Sequence, residues 1–166
     1  MKLSRWCPAC ALTAIAAISA CESSPPITPT PVNPSPTAPS VLVGAGDIGQ
    51  CGSAGPAATA ALLDGIAGTV FTAGDNAYMQ GTVENFRECY EPGWGRHRPR
   101  TRPIPGNHDY ETPGAAGYFE YFGSNAGPDG RGYYSYQVEG WLGLALNSEG
   151  PASEGSRQVA WLRSTL

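Results

Sequence analysis

Three short glycine-led stretches hold the oxygen donors that could do chemistry in this chain: Gly46-Asp47-Ile48-Gly49, Gly74-Asp75-Asn76-Ala77-Tyr78 and Gly106-Asn107-His108-Asp109. Asp47, Asp75 and Asn107 each follow a glycine directly, where the backbone can turn sharply and a ligand can come close. Two carboxylates and an amide oxygen are hard donors, suited to divalent or ferric ions. One Gly-Asp pair would mean little, because aspartate is common in turns. Three glycine-donor pairs at near-equal separation form a pattern.

The first stretch also admits another reading. In "VLVGAGDIGQCG" (Val41 to Gly52), Gly44, Gly46 and Gly49 have the spacing of a dinucleotide-binding fingerprint. That motif needs its third glycine to open a helix whose N-terminus faces a pyrophosphate. Here Gln50-Cys51-Gly52-Ser53-Ala54-Gly55-Pro56 follows, and two more glycines and a proline argue against a helix starting at Gly49. The fingerprint fails its context.

The elements that would position the three donors can be read from periodicity. Val41 to Ala45 and Thr69 to Gly74 are short apolar runs bounded by glycine, the look of strands buried on both faces. Ser53 can cap a helix over Ala57 to Ile66. Glu84 to Tyr90 reads as a short helix stopped at Pro92 and Gly93, and Thr101 to Gly106 as a third strand leading into Asn107-His108-Asp109-Tyr110. Ala115 to Phe122 reads as a helix whose Tyr118, Tyr121 and Phe122 belong to the core. Gly132 to Val138 and Trp141 to Ser148 look like strands paired across a Glu139-Gly140 turn. Arg157 to Leu166 places Val159, Leu162 and Leu166 on one helical face. The fold class expected is therefore α/β, with βαβ units and a mainly parallel sheet. Functional residues of such sheets follow the carboxyl ends of the strands.

In order and spacing, GDIG, GDNAY and GNHD resemble the first three motifs of the calcineurin-like metallophosphoesterases. The lack of histidine in the first motif, with tyrosine three residues after the second aspartate, is similar to the purple acid phosphatase branch. The resemblance covers residues 41–166 and implies a layered β-sandwich flanked by helices, of which this chain holds the N-terminal portion. It implies two metal ions, iron paired with zinc, manganese or a second iron. Asp47 and Tyr78 would bind the first, Asp75 would bridge both, and Asn107 would bind the second. A carboxylate can bridge ions roughly 3.5–4 Å apart, and a phenolate favours a trivalent ion. His108 would contact the phosphate and stabilise or protonate the leaving oxygen, with Asp109 the candidate to orient it. The substrate implied is a phosphate ester, monoester or diester. The family pattern continues with a lone histidine and a GHxH motif that supply three further ligands, whereas this sequence has only His97 and His108. The expectation is the front part of a longer product, or a non-catalytic, inactive chain retaining part of the fold.

Ten basic against fourteen acidic residues, net −4, give no nucleic-acid surface. The one basic cluster, Gly95 to Arg102, reads either as a solvated loop, with His97 at the surface, or as a phosphate-steering patch. At the N-terminus, Lys2 and Arg5 precede an apolar stretch too short to span a bilayer, so residues 1–20 read as a secretory signal peptide. Ile18-Ser19-Ala20-Cys21 resembles a bacterial lipobox that would make Cys21 a lipidated N-terminus, the alternative being ordinary cleavage near Ala20. Residues 21–40 are a proline-rich spacer. The chain is thus expected outside the cytoplasm, periplasmic or at the cell surface, touching membrane only through a lipid anchor. Cys7 and Cys10 fall in the removed segment. Cys51 and Cys89 remain, read as a disulfide or as two buried thiols.

Overall fold

The computed structural model describes residues 41–166. The expected signal segment 1–20, the lipidation candidate Cys21 and the linker 21–40 lie outside the described residues. No helix among the described residues is long and apolar enough to cross a membrane.

The architecture is mixed α/β. Strands β1 (Leu42–Ala45), β2 (Thr69–Thr72) and β3 (Thr101–Arg102) form a parallel sheet in the order β1-β2-β3. The registers are Leu42 to Thr69 through Ala45 to Thr72, then Val70 to Thr101 and Phe71 to Arg102. Gly44 is required by this pairing, since a Cβ there would lie 1.9 Å from the Phe71 carbonyl oxygen. Strand β3 is shorter than the expected Thr101 to Gly106 because Pro103 and Pro105 have no N–H to offer a ladder. The Thr72 hydroxyl fills the gap. It accepts from the Ile104 N–H at 3.0 Å and lies 3.4 Å from the Ile104 carbonyl.

Helix α1 (Gly55–Asp64) crosses from β1 to β2. Pro56, Ala60 and Leu63 make its buried face, the i, i+4, i+7 stripe of an amphipathic helix. It begins two residues before the expected start, because proline is well placed in a first turn. Ser53 lies one residue before the cap position and accepts from the Gly55 N–H at 3.1 Å.

The basic cluster is not a loop. It forms a 3-10 helix (Trp94–Arg100) laid against the end of α1. Arg100 donates to the carbonyls of Leu63 at 2.7 Å, Ile66 at 2.7 Å and Gly68 at 2.9 Å, satisfying acceptors that a helix end leaves open. Arg96 grips both oxygens of Asp64, at 2.7 and 2.8 Å. His97 is buried, not at the surface, with Nε2 3.1 Å from the Ala60 carbonyl.

Between β2 and β3, α2 (Val83–Asn85) runs on as a π-helical turn (Phe86–Tyr90). After β3 come α3 (Asn107–Tyr110) and α4 (Ala116–Phe122). The core sits where these meet: Phe86 stacks on Tyr121 at 4.9 Å, and Tyr90 meets Phe122 edge-on at 5.4 Å. A hairpin of β4 (Tyr134–Val138) and β5 (Trp141–Ala145) forms a separate antiparallel pair. Its two-residue turn, Glu139 and Gly140, has φ of +36° and +90°, the twist that closes tight hairpins. The hairpin is tied to the parallel sheet at Pro103, whose carbonyl accepts from Tyr118 at 3.0 Å and Tyr134 at 2.8 Å. Helix α5 (Arg157–Thr165) closes the described chain, capped by Ser156, which accepts from the Val159 N–H at 3.3 Å.

Candidate metal centre

The loops after β1 and β2 continue the parallel ladder past the strand ends. Asp47 N–H donates to the Gly74 carbonyl at 3.3 Å, Ile48 N–H to Asp75 at 3.0 Å and Gly49 N–H to Asn76 at 2.9 Å. Asp47 and Asp75 therefore travel side by side, both in the left-handed region with φ of +54° and +51°. Non-glycine residues rarely sit there, and each such residue costs on the order of 1 kcal/mol or more.

Tyr78 meets this pair. Its hydroxyl makes a short hydrogen bond to Asp47 Oδ1 and lies 3.2 Å from Asp75 Oδ2. Burial, then the hydrogen bond that the phenol donates to Asp47 and the charge of Asp75, push the Tyr78 hydroxyl well above the ordinary phenol range. The other oxygen of Asp75 accepts the His108 N–H at 2.9 Å. Loop three is thereby fixed to loop two, and the rings of Tyr78 and His108 stand 4.5 Å apart. Gly106 permits this closeness, since a Cβ on it would lie 2.3 Å from Asp75 Oδ1. The three leading glycines thus work differently: Gly74 takes φ of +88°, Gly106 gives room, and at the first loop Asp47 itself takes the positive φ.

His108 Nδ1 lies 2.7 Å from the Met79 carbonyl. A carbonyl only accepts, so Nδ1 carries the proton and Nε2 is the nitrogen left for chemistry. This corrects the expected role of Asp109, which does not orient His108. Asp109 is fully buried, and its carboxylate accepts from the Asn76 N–H at 3.2 Å, the Asn76 amide at 2.8 Å and the Gly106 N–H at 2.9 Å. Burial raises its pKa, and the hydrogen bonds from Gly106 and Asn76 oppose that rise. Asp109 is a brace between loops two and three, and it positions Asp75 and His108 through their neighbours. Asn76, fully buried and also donating to the Ile104 carbonyl at 2.8 Å, escaped the sequence reading. So did Met79, whose contribution is a backbone carbonyl that no side-chain pattern reveals.

Asn107 is the exposed first residue of α3, adjacent to His108. Cys51 and Cys89 form a disulfide with Cα atoms 4.6 Å apart, which anchors the loop that starts at Asp47 to the π-helical turn.

Asp47 and Asp75 each bring one carboxylate oxygen within hydrogen-bonding reach of the Tyr78 hydroxyl, and the three oxygens together are a hard donor set that fits a divalent or ferric cation. A cation there would replace the phenolic proton that now lies between the two carboxylates. A second ion would have only Asn107 and a share of Asp75. Among the described residues there is no group of three or more His, Cys, Asp or Glu placed to hold a metal. No family model, no curated protein and no solved structure matches this chain.

Proposed function

We propose that residues 41–166 are the N-terminal portion of a calcineurin-like metallophosphoesterase domain, exported and lipid-tethered, that hydrolyses phosphate esters. The observation that carries this reading is the meeting of Asp47, Tyr78 and Asp75 beside the ring of His108. Asp47, Asp75 and Tyr78 would hold the first ion, with Asp75 and Asn107 contributing to a second. Such ions supply Lewis-acid polarisation of the phosphoryl group and a lowered pKa for the attacking water.

The chain's own groups do the rest. His108, with Nδ1 held by the Met79 carbonyl, presents Nε2 and, when charged, donates a proton there to the leaving oxygen. The His108 N–H keeps one Asp75 oxygen in place, so the carboxylate is oriented before any ligand arrives. Asp109 and Asn76 keep both loops at that separation.

The test is to load the full chain with iron, manganese or zinc, count ions bound, and assay a chromogenic phosphate ester. Bound metal with turnover that Asp75→Asn abolishes is the expected result; failure to bind any of the three metals would sink the reading. In an iron-loaded sample, a visible tyrosinate-to-iron band that vanishes in Tyr78→Phe assigns the phenol as ligand.

A second reading, a non-catalytic surface lipoprotein using the fold for binding, is favoured by the sparse donor set for a second ion among the described residues. Stoichiometric metal binding without turnover would select it.

A further inference from the structure

Beyond the strand ends, a further cluster of polar and aromatic side chains lies where residues of α3, of α5 and of the chain leading into β4 line a common space. A cavity of about 530 Å³ there is lined by Tyr110, Arg131, Tyr133, Asn147 and Arg157, among others. A second cavity of about 530 Å³ shares Arg131, Tyr133 and Arg157 and adds Trp161. Together they make a groove with aromatic walls and two guanidinium groups, in the size range of organic ligands.

The walls are set before any ligand binds. Tyr133 and Trp161 rings pack at 5.1 Å, and the Arg131 guanidinium lies over Tyr133 at 5.9 Å. Asn147 is the keystone of the floor. Its amide donates to the Tyr110 hydroxyl at 2.8 Å and to the Arg131 carbonyl at 3.0 Å. Gln158 grips its backbone on both sides, at 2.8 and 2.9 Å. With the floor's polar groups satisfied internally, binding capacity rests on the arginines and rings. Arg131 is shared with exposed Asp129, while Arg157 makes no hydrogen bond or ion pair among the described residues. Asp129 lines the second cavity as well and pairs with Arg131, so the uncompensated guanidinium over the groove, on a chain of net −4, is that of Arg157.

The groove adjoins the candidate centre through α3. Tyr110 stands one turn after Asn107, so both lie on one face of that helix. Pro105, next to the Gly106 that packs on Asp75, would lie 3.0 Å from a Cβ on Gly132, beside Asn147.

We propose that this groove receives the alcohol half of the phosphate ester, and that the half it selects is a planar ring bearing a second negative charge. The rings stack on the planar group, and Arg157 with Arg131 takes the second anion. The inference rests on the phosphoesterase reading for its link to substrate, whereas binding can be measured without turnover.

The experiment is calorimetric titration of the full chain, with manganese present at one fixed concentration and at one fixed low salt concentration, with 4-carboxyphenylphosphonate and with phenylphosphonate. The wild-type chain should prefer the carboxylated probe by about tenfold, the effect of one charge-assisted hydrogen bond, and Arg157→Ala should bring the ratio close to one. A ratio near one in the wild type, or one that survives in the Arg131→Ala/Arg157→Ala double variant, overturns the proposal. Failure of the parent reading looks different. If isophthalate, which has no phosphorus, binds in an arginine-dependent way while Asp75→Asn changes neither phosphonate, the groove is a binding site without a substrate role. If the ratio is lost but Asp75→Asn still weakens both phosphonates, the centre stands and the groove does not.

Discussion

At the foot of α1, each cation of the 3-10 helix that touches the helix end has found an opposite partner: Arg96 holds Asp64 by two bonds, and Arg100 holds three carbonyls. At the ends of β1 and β2 the reverse holds. Two carboxylates with left-handed backbones converge on one phenol, and no guanidinium or ammonium joins them in a hydrogen bond or ion pair among the described residues. Both regions are dense in charge. Complementary pairing in the first strengthens a helix end; like charges held together in the second raise the energy of the folded chain unless a cation arrives. Density of charge therefore tells little about function, and the residual imbalance of charge tells more.

Experiments can break or sharpen that contrast, beginning with the supports of the imbalanced region. Replacing Cys51 and Cys89 by alanine should cost about 4 kcal/mol by the loop-entropy relation for the 38-residue separation, read from urea denaturation. A loss under about 1 kcal/mol would mean the disulfide merely decorates a loop already held. Asp109→Ala strands the N–H groups of Asn76 and Gly106 and should cost about 3 kcal/mol. If stability is unchanged, Asp109 is no brace.

The next change acts on the imbalance itself. On the proposed metal reading, Asp47→Asn should weaken binding of a cation at Asp47, Asp75 and Tyr78 at least about 100-fold while leaving the metal-free chain as stable as before, or more so. Loss of stability in the metal-free variant would put Asp47 on the structural side of the comparison.

The smallest effects belong to the paired region. Arg96→Ala should lower stability by an amount near the resolution of denaturant titration, because the pair is exposed. Its hydrogen bond from Arg96 holds the Asp64 carboxyl below the ordinary range. With the folded pKa depressed, the stabilisation is present above the unfolded value and fades as pH falls through the folded one. NMR titration of Asp64 should show its midpoint rising in Arg96→Ala; a midpoint that stays put assigns the shift to other groups.

The three parallel strands, and the donors Asp47 and Asp75 that follow the first two, were legible in the sequence because apolar runs bounded by glycine permit few alternatives. The hairpin was legible for the same reason, and its Glu139-Gly140 turn lies where the alternation breaks. What the sequence hid has physical causes. Strand β3 lost its second half to Pro103 and Pro105, whose missing donors are invisible to a hydropathy pattern. His97 and Arg100 looked like surface because basic residues usually are, yet helix-end carbonyls drew them inward. The aspartate after His108 suggested an orienting pair, but residues adjacent on a helical turn point apart, and Asp109 turned to Asn76 while a backbone carbonyl took the imidazole.

The hydroxyl of Thr72 has a consequence for motion. Where the prolines interrupt the ladder, the Ile104 amide is protected from solvent by a side chain that can rotate. In hydrogen exchange that amide should therefore open with the Thr72 rotamer, independently of the sheet's collective breathing. Three residues further on lies Asn107. One hydroxyl group thus acts as a local latch on the Ile104 amide, while Asp75 and Asp109 hold the loop beyond it.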